Sequence, residues 1–130
     1  SRKAVKEIGL MADLFFLYYE EMDYCERIKR AGYSIWYEAK STVYHKESIS
    51  TGKGSTLKTY YLTWNRLLFQ RRNVKGIQLF VSLLFFMIVS IPKNTLQYAI
   101  KGKTDMLKAF WKGILWNLQA KDIHRNESLI

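Results

Sequence analysis

The sequence predicts an α/β part over residues 1–54 followed by a helical tail over residues 55–130. Alternating side chains just after Gly32 are typical of a strand, and apolar residues three and four positions apart elsewhere are typical of helices. The balance of basic and acidic residues also changes near this boundary. Residues 1–50 hold eight Lys/Arg and eight Asp/Glu, whereas residues 51–130 hold thirteen Lys/Arg and three Asp/Glu. A neutral α/β part joined to a cationic helical part is therefore expected.

Composition is typical of one folded domain. Hydrophobic residues make up 48% and charged residues 25% of the 130 residues, which excludes a largely disordered chain. Cys25 is the single cysteine, so an internal disulfide is excluded and a reduced thiol in a cytosolic setting is favoured. Residues 1–9 are charged and lack the apolar region of a secretory signal.

The first half begins with a helix-compatible segment over residues 2–8 and an aromatic run from Leu10 to Tyr19 that is too short to span a membrane. A helix is then predicted from Glu20 to a stop at Gly32, with acidic residues in its first turn and basic residues in its last. Its apolar positions recur at a spacing of three residues, at Met22, Cys25 and Ile28.

Two strands and a loop should follow this helix. Tyr33, Ile35 and Tyr37 alternate with other side chains and predict one strand, and residues 42–45 predict a second. Residues 46–54 contain two glycines and three hydroxyl residues, a composition typical of a loop that can enclose a ligand.

Three helices are predicted in the tail. Residues 55–72 show a helical apolar pattern, and residues 76–91 are apolar but reach only the lower limit for a membrane span before Pro92, which is expected to end the helix. A third helix should begin at Thr104. Lysines and tryptophans near the helix ends predict that the tail lies in an anionic membrane surface. Soluble packing of these helices on each other is the alternative.

Acidic residues crowd together directly after Tyr18 and Tyr19, at Glu20, Glu21 and Asp23. Like charges this close disfavour one another, and function can justify that cost, since a carboxylate here can accept a proton from a hydroxyl group as general base. Ordinary acidity of a helix N-terminus is the structural alternative.

The longer string that contains these residues resembles the rhamnosyltransferase-like branch of family 2 glycosyltransferases. The resemblance covers about residues 2–50 and is carried by the residues from Asp13 to Arg27, then Arg30-Ala-Gly32-Tyr33, and then Val43-Tyr44-His45. More loosely, the helix with Tyr60, Tyr61, Asn65 and Arg66 is also similar to this branch. The family usually has Glu-Asp where this chain has Glu20-Glu21.

This resemblance implies the C-terminal, acceptor-side part of a GT-A type nucleotide-sugar transferase fold. Glu21 matches the base that deprotonates the acceptor hydroxyl, with Glu20 or Asp23 able to share that role. Tyr19 and Arg27 match supporting positions, and Asp23 and Arg27 are spaced for an ion pair on one helix face. His45 matches a histidine near the metal, where it could bind Mg²⁺ or Mn²⁺, although a strand-end histidine is more often structural.

The loop after His45 resembles a mobile segment that closes over the nucleotide diphosphate. Lys46, Ser48 and Lys53 are the candidate diphosphate-binding residues, and ordinary solvated lysines are the alternative. The resemblance also implies an N-terminal nucleotide-binding half of the same enzyme that carries the main metal motif. This chain alone is therefore expected to be inactive.

The function expected is that of an inverting glycosyltransferase fragment at the cytoplasmic face of the membrane. It would transfer a sugar such as rhamnose from a nucleotide-sugar donor to a glycan or lipid-linked acceptor. A non-catalytic membrane- or partner-binding module is the alternative. Nucleic-acid binding is not expected, because the basic residues are spread along apolar helices rather than gathered on a polar groove.

Overall fold

The computed structural model describes residues 2–44, 55–119 and Ile123. Every regular element in these ranges is a helix. In chain order they are α1 (Arg2–Ile8), α2 (Glu20–Arg30), α3 (Thr56–Asn73), α4 (Gly76–Phe85), a π-helical segment (Phe86–Ser90), α5 (Ile91–Ile100) and α6 (Thr104–Gln119).

The predicted α/β fold, and with it the GT-A type sheet, is wrong, because the described ranges contain no strand. Residues 33–44 are irregular, with a turn in which the Ser41 N–H donates to the Glu38 carbonyl at 3.1 Å. A strand needs a neighbouring strand to satisfy its backbone groups, and these residues have none. The alternating side chains do not mark a buried face either, since Trp36 is 86% exposed and Tyr37 is 90% exposed.

Helix α2 ends where the sequence predicts. Gly32 adopts a left-handed conformation with φ of 83°, which a residue without a Cβ adopts readily. Its N–H donates to the Lys29 carbonyl at 3.0 Å, and the Tyr33 N–H donates to the Ile28 carbonyl at 3.2 Å. These two bonds form a Schellman motif and satisfy carbonyls that the helix end would leave unpaired.

Helices α3 and α6 lie side by side and run in the same direction. The Lys112 ammonium, in the middle of α6, lies 5.5 Å from the ring centroid of Tyr60 in the first half of α3. One turn further, the rings of Trp64 and Trp116 are 4.2 Å apart. A first apolar cluster joins both helices to the π-helical segment and consists of Leu67, Phe86, Phe110 and Ile114. The apolar helix between α3 and α6 thus packs against both.

Gly113 allows the close approach of α6 to α3. A Cβ at this position would lie 2.9 Å from the Tyr60 carbonyl oxygen and 3.1 Å from both the Thr63 Cβ and the Trp64 nitrogen. Because two of these neighbours are backbone atoms, they cannot move aside as a flexible side chain would. The glycine therefore sets the distance between the two helices.

The N-terminal segment packs on another part of α3. A second apolar cluster is formed by Ala12 and Phe15, which precede α2, together with the fully buried Leu68. Trp64 and Trp116 border this cluster as well. The aromatic run that the sequence places before Glu20 is thus partly a packing segment that attaches α2 to α3.

The prediction that Pro92 ends the apolar helix is wrong, because the helix continues from Gly76 to Ile100. Proline lacks the N–H that would bond to the carbonyl four residues earlier. The helix adapts by a change of register over Phe86–Ser90, where the Ile91 N–H donates to the Phe86 carbonyl five residues back. The helix ends instead at Ile100, and Gly102, two residues later, has φ of 62°.

At 25 residues, this helix is long enough and apolar enough to cross a membrane and can associate with one. It spans about 37 Å at 1.5 Å per residue, compared with about 30 Å for a bilayer hydrocarbon core. Many of its large apolar side chains face away from the protein, including Ile77, Phe80, Phe85, Met87, Ile88 and Leu96. The expectation of membrane association for the tail is supported to that extent.

Candidate acidic site at the start of helix α2

The backbone directly before the acidic residues adopts an uncommon conformation. Tyr18 has φ of 68° and Tyr19 has φ of 72°, both in the left-handed region. This conformation costs an L-residue roughly 1–2 kcal/mol, because its Cβ approaches the carbonyl oxygen. Strain of this kind persists only where the surroundings enforce it, and it is common at functional sites. It fixes the direction in which α2, and thus Glu20, leaves the loop.

Asn65 of α3 holds this loop in place. Its side chain is fully buried, and its amide nitrogen donates to the Leu17 carbonyl at 2.5 Å and to the Tyr18 carbonyl at 2.9 Å. Tyr19 adds a ring contact, with its centroid 5.7 Å from that of Phe69. Both contacts come from α3, so this helix determines the conformation of the loop that precedes the acidic residues.

Asp23 forms a buried ion pair with Arg72. It is 1% exposed, and its carboxylate accepts hydrogen bonds from Arg72 Nε at 3.1 Å and from the Asn73 amide at 2.8 Å. Arg72 also lies over the Phe15 ring and donates to the Ile123 carbonyl. A carboxylate enclosed in this way is not accessible to an acceptor hydroxyl. Asp23 therefore serves to fix α2 on α3 rather than to move protons.

Arg27 does not pair with Asp23, although the spacing of four residues allows it. Its guanidinium donates to the Leu10 carbonyl at 2.7 Å and to the Ile8 carbonyl, at the end of α1. Arg27 is itself buried and thereby satisfies backbone groups that would otherwise lack partners. It supports the site by joining α1 to α2.

Glu20 and Glu21 remain available for chemistry. Glu21 is exposed, and Glu20 is half-buried. One carboxylate oxygen of Glu20 is buried without a hydrogen-bond partner among the described residues. Glu20 also lines a cavity of about 340 Å³ together with Asp13. Both glutamates lie in the first turn of α2.

Several predicted site residues lie outside the described ranges. These are the candidate metal ligand His45 and the candidate diphosphate-binding residues Lys46, Ser48 and Lys53. Within the described ranges, no group of three or more His, Cys, Asp and Glu side chains is placed to hold a metal ion.

Sequence reasoning missed the residues of α3 that build the site. Asn65 was assigned no role there, and Arg72 and Asn73 were not singled out. A signal was present in the sequence, because Asn65 and Arg72 are seven residues apart and thus share one face of the helix. Two polar residues on a face that also bears Leu68 can indicate buried polar contacts.

Comparisons of this chain with protein-family models, with curated proteins and with solved structures found no match. The likeness to family 2 glycosyltransferases therefore stays a resemblance in the residues from Asp13 to His45.

Proposed function

We propose that this chain supplies the acceptor side of an inverting, membrane-associated glycosyltransferase, with Glu21 as the general base. The observation that carries the proposal is the division of the acidic residues. Asp23 is buried in an ion pair with Arg72, whereas Glu21, two residues earlier on the same helix, is exposed. The strained loop held by Asn65 fixes the start of the helix that carries this exposed carboxylate.

In the proposed reaction, a Glu21 carboxylate oxygen accepts the proton of the acceptor hydroxyl group. That hydroxyl oxygen forms the new bond to the anomeric carbon, while the bond from this carbon to the nucleotide diphosphate breaks. Attack from the side opposite the leaving group inverts the configuration. The half-buried Glu20 borders the same turn and can position the acceptor through hydrogen bonds.

The remaining components of the site are proposals from the resemblance. Lys46, Ser48 and Lys53 would bind the diphosphate, and His45 would contribute to a Mg²⁺ or Mn²⁺ site whose main ligands lie in an N-terminal nucleotide-binding half. Such a metal would offset the charge of the leaving diphosphate. The described carboxylates do not themselves form a metal-binding set.

The proposed location is the cytoplasmic face of a membrane. The helix Gly76–Ile100 supports association with a membrane, because it is apolar enough to enter a bilayer. The excess of Lys/Arg over Asp/Glu in residues 51–130 would favour an anionic membrane surface. A glycan acceptor attached to a lipid would then lie on the same surface as Glu21.

Glu21→Gln tests the proposed base. In membranes that contain the complete enzyme, sugar transfer from a panel of nucleotide-sugars should fall about 10²- to 10⁴-fold, because the amide cannot accept the proton. Donor binding should be unchanged. Glu26→Gln is the matched control, since Glu26 lies on the same helix in an exposed pair with Lys29, and its transfer rate should stay within about twofold of the wild type.

A non-catalytic membrane-binding module is the second candidate, and the exposed apolar face of the helix Gly76–Ile100 favours it. In that case the acidic residues in the first turn of α2 have only a structural role at the helix N-terminus. Equal transfer rates for the wild type and Glu21→Gln would then be observed. That result would contradict the proposal of Glu21 as base.

A further inference from the structure

A second cavity lies on the side of α3 that faces the long apolar helix. Its volume is about 290 Å³, far more than the roughly 30 Å³ that one water molecule occupies in the liquid. Its polar lining consists of Thr59, Thr63 and Arg66 of α3, Asn94 and Tyr98 of α5, and Tyr19 of the loop before α2, while Leu62, Phe86 and Phe110 form apolar walls. A site for a polar group is thus built against an apolar helix.

Arg66 gives this cavity a positive charge. The residue is half-buried, and its guanidinium carbon lies 5.5 Å from the centroid of the Phe86 ring. No carboxylate in the described ranges forms an ion pair with it, and the cavity lining contains no acidic residue. A half-buried guanidinium has five N–H donors, and they favour an anionic partner. Among the described residues, the cavity therefore supplies a charge without a matching counter-charge.

The other polar groups around Arg66 can donate hydrogen bonds as well. Thr59 and Tyr98 carry hydroxyl groups, and the Asn94 amide donates to the Ser90 carbonyl at 2.7 Å, which orients this side chain. Hydroxyl and amide donors beside a guanidinium are typical of sites for phosphate oxygens. Asn94 lies four residues after the π-helical segment, so the register change over Phe86–Ser90 helps to set its position.

The position of the cavity points to a phosphate that is carried by a lipid. Phe86, Asn94 and Tyr98 all belong to the helix Gly76–Ile100, whose outward face exposes Phe85, Ile88 and Leu96. A phosphate headgroup in the cavity would allow its acyl chains to lie along this exposed apolar face. A free phosphate ion would gain only the polar contacts.

We infer that the cavity between α3, α5 and α6 binds the phosphate group of a membrane lipid, with Arg66 as the charged ligand. This inference is independent of glycosyl transfer, because it requires no role for Glu21. It is more specific than a general attraction to anionic surfaces, since it predicts that one phosphate group binds to one residue, Arg66.

The experiment uses the full chain in uncharged detergent micelles, titrated in separate arms with a short-chain phosphatidic acid and with inorganic phosphate. The Arg66 side-chain Nε resonance is followed by NMR. We expect a saturable shift of this resonance with phosphatidic acid, and binding at least about tenfold weaker for inorganic phosphate.

Arg66→Gln should weaken phosphatidic acid binding about tenfold or more, because charged hydrogen bonds are lost. Lys112→Gln is the matched control, as it removes one charge from an exposed position outside the cavity and should change affinity less than about twofold. Should Arg66→Gln fail to fold, the wild-type Nε titration still decides the matter. An Nε resonance that does not move, equal losses for both variants, or equal affinity for inorganic phosphate would overturn the inference.

Discussion

Two faces of α3 hold the molecule together in different ways. Toward α2, the contacts are buried and polar: Arg72 pairs with Asp23, and Asn65 binds the carbonyls of Leu17 and Tyr18. Toward α6, close packing of Gly113 against the α3 backbone is combined with hydrogen bonds, because the Asn117 amide donates to the Trp64 carbonyl at 2.9 Å and Arg71 donates to the Asn117 carbonyl. Directional bonds thus orient the proposed site, whereas the contact of α3 with α6 depends on close packing as well as on hydrogen bonds.

This difference predicts different sensitivities. A buried polar contact fails when one partner is removed, because the other is left without compensation. A close-packed contact fails when volume is added, because interiors have little free space. Substitutions on the two faces therefore separate the two kinds of contact.

Arg72→Ala should give the largest effect, since it leaves the Asp23 carboxylate buried without its cationic partner and the Ile123 carbonyl without a donor. We expect a loss of about 3–5 kcal/mol in the free energy of unfolding, as for other broken buried ion pairs. Urea unfolding in detergent micelles, followed by circular dichroism, measures it.

Lys29→Ala is the control for this experiment. It breaks the ion pair with Glu26, in which the two side chains are 54% and 36% exposed, and it should cost less than about 1 kcal/mol. Similar losses for the two variants would show that burial of the Asp23 pair has no special importance.

Gly113→Ala should have the next largest effect. In an ordinary helix this substitution stabilises by about 1 kcal/mol, because alanine has the higher helix propensity. Here the added Cβ would lie 2.9 Å from the Tyr60 carbonyl oxygen, so we expect a destabilisation of about 1–3 kcal/mol instead. Lys108→Ala, at an exposed position of the same helix, should stay within about 0.5 kcal/mol in the same urea assay. A stabilised Gly113→Ala variant would contradict the close approach of α3 and α6.

Tyr33→Phe should have the smallest effect and one that depends on pH. The Tyr33 hydroxyl donates to a Glu7 carboxylate oxygen at 2.6 Å. That hydrogen bond, followed by desolvation and repulsion from the Glu7 charge, raises the pKa of Tyr33 above its ordinary value of 10.0. Because the pKa is higher in the folded state, the stabilisation is complete below about pH 10 and is lost as the pH rises through the folded-state pKa.

The free energy of unfolding, measured at pH 8 and at pH 11, shows whether the stabilisation is lost as the pH rises. The wild type should be slightly more stable than Tyr33→Phe at pH 8, and the difference should shrink at pH 11. Tyr37→Phe is the control, since Tyr37 is 90% exposed, and it should match the wild type at both values. A difference that grows with pH would contradict the hydrogen bond.

Features that depend on one residue or on its near neighbours in the chain could be predicted from the sequence. Features that depend on contacts with distant parts of the chain could not. The end of α2 at Gly32 followed from a glycine that readily adopts positive φ, which is a property of one residue. The strand expected over residues 33–37 failed because a strand depends on a neighbour that periodicity does not reveal. At Pro92 the missing N–H was recognised, but the compensating π-helical register depends on the rest of the helix.

The site was predictable only in part for the same reason. The acidic cluster is visible in the sequence. Which of its residues is buried in an ion pair is not, because the partner of Asp23 is Arg72, 49 residues away. Spacing favoured Arg27 as that partner, since only contacts within one helix can be read from spacing. Asn65 likewise donates to backbone carbonyl groups. Every residue has such a group, so the sequence does not indicate which ones Asn65 contacts.

We propose that Asp23 holds the structure together, whereas Glu21 is exposed and can act as the base. The most direct measurement compares the free energies of unfolding of Glu21→Gln and Asp23→Asn in the same detergent. We predict that Glu21→Gln stays within about 0.5 kcal/mol of the wild type and that Asp23→Asn loses about 3–5 kcal/mol, because Arg72 is left buried without its counter-charge. Equal losses for the two variants, or a larger loss for Glu21→Gln, would contradict the claim.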